Sequence, residues 1–286
     1  MAFFKTAVLS VLVYALVACS AVPDLETRRA AALSAGSGAL TQILIPTRMF
    51  DIAAFVPKGF GISGGAMLTI YIEGDGLAWI TRSQPSTDPT PATPLVIGLM
   101  EKDPRVPKAY LARPCQYVGA SSRNCDVSLW TNARFSADVV AAVDEAISTL
   151  KAQSGALSVH LVGYSGGGVL AALAAVRRAD VAGITTLAAP MDTDAFTAHH
   201  SVSPLVGSLN PKDIAAQLAT VPQLHLVGED DTVVPESILQ SYLRAMPPDS
   251  PCIRTTSLPG VTHNSGWQSV LPQIHQALPL CWGAPS

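Results

Sequence analysis

The chain has 286 residues, 49% of them hydrophobic and 14% charged, with a formal net charge of -3 at pH 7. That suits one well-buried α/β domain better than two small ones. There is no basic excess, which argues against a nucleic-acid partner, and no repeat or low-complexity tract is evident.

Met1 to Lys5 is a short basic start, and Thr6 to Ala18 is an apolar run of 13 residues. The run is short for a bilayer span and right for the core of an export signal. It ends in Leu16-Val17-Ala18-Cys19, which resembles the lipobox of bacterial lipoproteins. The resemblance implies cleavage before Cys19, lipidation of that cysteine and a membrane anchor at the N-terminus. Ser20 then implies sorting to the outer membrane, facing the periplasm. An ordinary signal peptide cut nearby, or an uncut anchor, are the alternatives. Residues 1–18 thus read as a signal peptide, 19–40 as a polar, alanine-rich flexible tether, and 41–286 as the folded domain.

The cysteines fit an exported chain. There are five: Cys19, Cys115, Cys125, Cys252 and Cys281. With Cys19 lipidated, four remain, an even number suited to an oxidising compartment. Three pairings are open. Cys115–Cys125 and Cys252–Cys281 are favoured because each is local in sequence; reduced, buried cysteines are the alternative.

In chain order, Ile43-Leu44-Ile45 and residues 52–56 read as antiparallel edge strands. Residues 67–72 read as a buried strand running into the turn Glu73-Gly74-Asp75-Gly76. A long loop rich in Pro, Thr and Ser follows from Ser83 to Pro94, then a short helix from Leu95 and a strand at Tyr110-Leu111-Ala112. Ser136 is a good N-cap for a helix with Val139, Val143, Ile147 and Leu150 on one face. Further strands are expected at residues 159–163, 184–188, 223–227 and 253–258. Met191 to Asp213 is looser and could cover a site as a lid. Alternating strands and helices predict a mainly parallel sheet with helices on both faces, and ligands beyond the carboxyl ends of its strands.

The stretch that organises this pattern is Gly163-Tyr164-Ser165-Gly166-Gly167. It matches the G-x-S-x-G nucleophile elbow, a tight strand-to-helix turn that presents a serine. Glycine at the flanking positions lets strand and helix nearly touch. A plain glycine-rich turn is the bland alternative; a phosphate cradle would want a lysine that is absent. A serine hydroxyl needs a base, and the base a partner that fixes its tautomer. Asp231 and His263 follow later strands in the right order.

With these residues the chain resembles an α/β-hydrolase over roughly residues 41–280. Gly228-Glu229-Asp230-Asp231-Thr232-Val233-Val234-Pro235 is similar to the family's acid loop, which selects Asp231; Asp192 or Asp194 is the fallback. The resemblance implies the α/β-hydrolase fold and a serine hydrolase. Ser165 would be nucleophile, His263 base and Asp231 its orienting acid, and the substrate a small-molecule or lipid-like acyl ester or thioester. It also implies an oxyanion hole from the N–H groups of Gly166 and Asp75. Many family members have His-Gly where this chain has Glu73-Gly74, and a carboxylate beside a forming oxyanion is unfavourable unless paired. Arg113 or Arg134 is the expected partner for Glu73 or Asp75. The segments around Glu73, Arg113 and Arg134 are similar to uncharacterised bacterial hydrolase-like lipoproteins. A non-catalytic envelope protein built on the same scaffold for binding or assembly is the competing reading. His160 and His225 lie inside strands and read as packed, and His199-His200 as a solvated pair. No cluster has metal-ligand spacing and no dinucleotide fingerprint is present, so neither a metal nor another cofactor is expected.

Overall fold

The apolar runs become strands of one eight-stranded sheet, seen in a computed structural model. The structure describes residues 22–35, 39–62, 67–119, 122–248 and 250–274, together with Leu278 and Cys281. The elements in chain order are α1 (Leu25–Ala35), β1 (Leu40–Pro46), β2 (Asp51–Pro57), β3 (Met67–Ile72), α2 (Leu95–Lys102) and β4 (Lys108–Leu111). Then come α3 (Ala137–Ser154), β5 (Ser158–Tyr164), α4 (Gly166–Ala175), β6 (Val181–Leu187), α5 (Thr193–His199) and α6 (Ala215–Leu218). The chain closes with β7 (Gln223–Gly228), α7 (Glu236–Leu243), β8 (Ile253–Leu258) and α8 (Leu271–Ile274).

The sheet order is β1-β2-β4-β3-β5-β6-β7-β8. β1 and β2 pair antiparallel, as do β2 and β4; from β4 through β8 every pairing is parallel. β5 lies between β3 and β6, covered on both faces, which is why it reads as an unbroken apolar run. Its one basic residue, His160, is satisfied by Thr185 Oγ1 at 2.9 Å and faces Arg105 at 3.3 Å. His225 meets Thr186 Oγ1 at 2.7 Å and Gln223 Oε1 at 3.1 Å. Burial pushes both imidazoles down to about 3, so both are neutral packing residues.

Ser136 caps α3 through the Val139 N–H, and Gly155 ends it with φ of 70°. Its Val139, Val143, Ile147 and Leu150 face one core cluster with all of α4 except its three glycines. All ten residues of α4 are buried, so this helix is set wholly inside the domain.

The segment read as a tether departs from that expectation. Alanine-rich sequence favours helix, and residues 25–35 form α1. Arg28 and Arg29 supply docking contacts, Arg29 Nη2 donating to Tyr117 O at 2.8 Å. The buried guanidinium of Arg28 bonds Thr90 O at 2.5 Å and pairs with Asp88 at 3.2 Å, tying α1 to the long loop before α2. Residues 1–18 and Cys19 lie outside the described residues. Both disulfides, Cys115–Cys125 and Cys252–Cys281, are formed. Among the described residues no helix is long and apolar enough to cross a membrane.

Candidate active site

The turn between β5 and α4 places Ser165 at φ 49° and ψ −123°, a sparsely populated region for a residue with a side chain. Such a conformation costs roughly 1–3 kcal/mol and persists only where the surroundings enforce it. Here they do. The Ser165 N–H is held by Leu187 O of β6 at 2.8 Å, and the glycines let the elements close on each other. A Cβ on Gly167 would overlap Ile72 O and lie 2.5 Å from Glu73 O. One on Gly163 would overlap the Gly167 backbone.

The acid loop follows β7. Asp231 is buried while its neighbours Glu229 and Asp230 are exposed, which resolves three adjacent acids into one candidate. Asp231 Oδ1 accepts the N–H groups of Val233 and Val234, each at 2.8 Å. Its Oδ2 accepts from His263 Nδ1 at 2.8 Å. A carboxylate only accepts, so Nδ1 carries a proton, and in the neutral tautomer this bond selects, Nε2 holds the lone pair. Burial pushes the Asp231 carboxyl up, but the His263 bond and the two amides outweigh it and hold it below the usual range.

His263 is fixed from behind. Its carbonyl accepts from Tyr164 Oη at 2.9 Å and from Trp267 Nε1 at 2.8 Å. The Tyr164 and His263 rings lie 5.3 Å apart, so the residue before the serine positions the imidazole beside the elbow. Among the described residues no hydrogen bond joins Ser165 Oγ to His263. Tyr164 and Trp267 are contacts of His263 that the sequence did not single out; the x of G-x-S-x-G carries no rule about its own contacts. The fallback acids are elsewhere engaged. Asp192 caps α5, accepts from Ser241 at 2.6 Å and pairs with Lys212 at 3.1 Å, while Asp194 is mostly exposed. His200 is not simply solvated: its Nε2 donates to Val233 O at 2.7 Å, docking α5 on the acid loop.

On the other side of Ser165 runs the turn after β3. A Cβ on Gly74 would lie 3.3 Å from the Ser165 Cβ. Gly74 N–H is taken by Glu73 Oε1 at 2.9 Å and Gly74 O by Gln116 Nε2 at 3.0 Å. The Asp75 N–H has no acceptor among the described residues. Glu73 is buried and also accepts from Tyr110 Oη at 2.9 Å. Burial pushes its carboxyl up to about 7, against the smaller opposing effects of these bonds and of Arg113. The arginines go to Asp75, and both of them do so. Arg113 Nη1 pairs with Oδ1 and Arg134 Nη1 with Oδ2. Burial of Asp75 is outweighed by these two cations, so its carboxyl is held below its ordinary value. Among the described residues no group of three or more His, Cys, Asp or Glu is placed to hold a metal ion.

The segment after α5 is tied to the loop that carries Arg134. Asn132 Nδ2 donates to Val206 O at 3.1 Å and Leu209 N–H to Phe135 O at 2.9 Å.

No protein-family model matches the chain, and no curated protein matches it in sequence. Solved structures do match in shape. The naproxen esterase (carboxylesterase NP) of Bacillus subtilis is 12% identical with a TM-score of 0.57, over 87% of this chain and 95% of that one. The Pyrococcus furiosus esterase Pf2001 is 13% identical with a TM-score of 0.58, over 85% and 89%. An alpha-beta serine hydrolase homologue from Coxiella burnetii is 14% identical with a TM-score of 0.53, over 82% and 93%. Strand order, the antiparallel β1–β2 edge and these likenesses agree: this chain has the α/β-hydrolase fold.

Proposed function

We propose that the protein is a serine hydrolase of carboxylic ester or thioester bonds, working through an acyl-enzyme. One observation carries the reading. A serine forced to positive φ at a strand-to-helix turn shares the carboxyl end of the sheet with a histidine whose Nδ1 is fixed on a buried carboxylate 2.8 Å away. Ser165 Oγ attacks the carbonyl carbon, and His263 Nε2 takes the hydroxyl proton. Catalytic hydrogen bonds of this kind commonly tighten only around substrate. Asp231 holds the tautomer and offsets the imidazolium charge. The N–H groups of Gly166 and Asp75 receive the oxyanion. His263 then protonates the leaving alcohol or thiol, and water, activated by the same imidazole, releases the acid. The esterases of similar shape support this chemistry by analogy.

We place the protein at the bacterial cell envelope, anchored through a lipid on Cys19 in the outer membrane and facing the periplasm. The two formed disulfides support an oxidising compartment. A small-molecule or lipid-like acyl substrate fits that location.

The test is labelling by a fluorophosphonate probe, with turnover of an acyl-chain panel. Wild type should label and Ser165→Ala should not. Labelling of Ser165→Ala at the wild-type level would discard the assignment. A folded wild type that neither labels nor turns over would favour a non-catalytic scaffold. The Asp75 carboxylate beside Gly166 would then be the reason.

A further inference from the structure

The turn after β3 sets the Asp75 carboxylate against the backbone of Gly166, beside the proposed oxyanion hole, and two arginines are placed on it. A Cβ on Gly166 would collide with Asp75 Oδ1 and lie 2.6 Å from Arg113 Nη1. The Asp75 side chain therefore reaches from one proposed oxyanion donor, its own N–H, across to the backbone of the other. Glycine at 166 is what leaves it room.

The two guanidinium groups on Asp75 are fixed at several points each. Arg113 Nη2 donates to Arg134 O at 2.7 Å, and the group lies 5.1 Å from the centroid of the Phe135 ring. Its backbone N–H is held by Gln116 Oε1 at 3.1 Å, the same glutamine that holds Gly74 O. Arg134 Nε donates to Thr131 O at 2.5 Å. Both side chains are at least nine-tenths buried. Two buried cations thus face the one Asp75 carboxylate, an excess of one positive charge within these three side chains. Removing one partner of such a cluster leaves the other charge uncompensated.

Building on the serine-hydrolase reading, we propose that Arg113 and Arg134 are positioning residues of the oxyanion hole. They clamp Asp75 so that its N–H stays aimed at the elbow, and they reverse the local charge so that a developing oxyanion meets net positive potential. The pair does here the work that a neutral turn needs no help to do. The contribution is to the transition state, so it belongs in kcat rather than KM.

The experiment uses the full chain in detergent, with p-nitrophenyl butyrate as substrate. The variants are Arg134→Gln, Arg134→Lys, and Arg134→Gln combined with Asp75→Asn. Losing one oxyanion donor costs on the order of 10²–10³ in kcat, so Arg134→Gln should lose about 100-fold with KM within about threefold. Arg134→Lys keeps the cation and should stay within about tenfold of wild type. The double variant removes the exposed liability as well as its partner, and should recover at least about tenfold over Arg134→Gln. A merely structural arginine gives no such recovery. Wild-type kcat in Arg134→Gln, or a double variant no better than the single, would overturn the clamp while wild-type fluorophosphonate labelling leaves Ser165 as nucleophile. If wild type itself does not label, the hydrolase reading has failed and the clamp with it. Should Arg134→Gln not fold, Arg113→Gln with and without Asp75→Asn makes the same comparison from the other half of the cluster, with the same outcomes required.

Discussion

Replacing Glu73 by glutamine should flatten the dependence of stability on pH. An unfolded glutamate titrates near 4.5, and in the fold burial raises Glu73 to about 7. Between those values the folded protein keeps a proton that the unfolded chain has released. The group's contribution is therefore complete below the unfolded value and is lost as pH rises through the folded one. The difference corresponds to about 3 kcal/mol in all, of which about 2.5 kcal/mol disappears between about pH 5 and about pH 8. The neighbours do not blur this window. Burial pushes the phenols of Tyr110, Tyr117 and Tyr164 up, so they stay neutral, and Asp75 stays ionised on its two arginines. Glutamine keeps the shape and an oxygen for the Gly74 N–H. Urea unfolding at a series of pH values, with disulfides intact, reads the effect. At a slope of about 3 kcal/mol per molar urea, the wild-type midpoint should fall about 0.8 M further than that of Glu73→Gln across the range. Parallel pH profiles for the two proteins would refute the reasoning, because the carboxyl would then titrate alike in both states.

Other substitutions probe the site's construction. Gly167→Ala sets a methyl against the backbone oxygens of Ile72 and Glu73, which cannot swing away, and should cost about 1–3 kcal/mol or more in thermal or urea unfolding. Gly98→Ala in α2 meets nothing within 4 Å and should be neutral or stabilising by up to about 1 kcal/mol; equal effects at the two positions would deny the close approach. Asp231→Asn should lower kcat by roughly 10³–10⁴-fold with the fold intact, since an amide no longer fixes the histidine tautomer. Asp192→Asn disturbs the α5 cap and the Lys212 pair, so it should lower Tm while turnover persists; a turnover loss matching that of Asp231→Asn would mean the acid was misassigned.

Much of the molecule was legible because it depends on short-range pattern. Apolar runs of strand length, a serine N-cap three residues before Val139 and glycines around Ser165 specify local conformation wherever they occur. The chain order of Ser165, Asp231 and His263 was readable because each follows a strand, the first two buried and the last the mixed polar strand Ile253–Leu258, and parallel strands bring their carboxyl ends to one side. The Cys115–Cys125 and Cys252–Cys281 pairings followed from proximity along the chain.

Tertiary structure decided the rest, wherever a residue's role depends on what lies across from it. Three adjacent acids could not be ranked by burial until the loop folded and only Asp231 turned inward. The polar, alanine-rich stretch read as a tether because one of its docking contacts, Arg28 on Thr90 and Asp88, lies about sixty positions further along the chain. Above all, the sequence by itself set Glu73 and Asp75 beside the elbow and named two candidate arginines. It left open which acid they would take. Folding sends both cations to Asp75 and leaves Glu73 to Tyr110 and its own turn, because pairing of buried charges is settled by three-dimensional reach and desolvation, neither of which is written in local order.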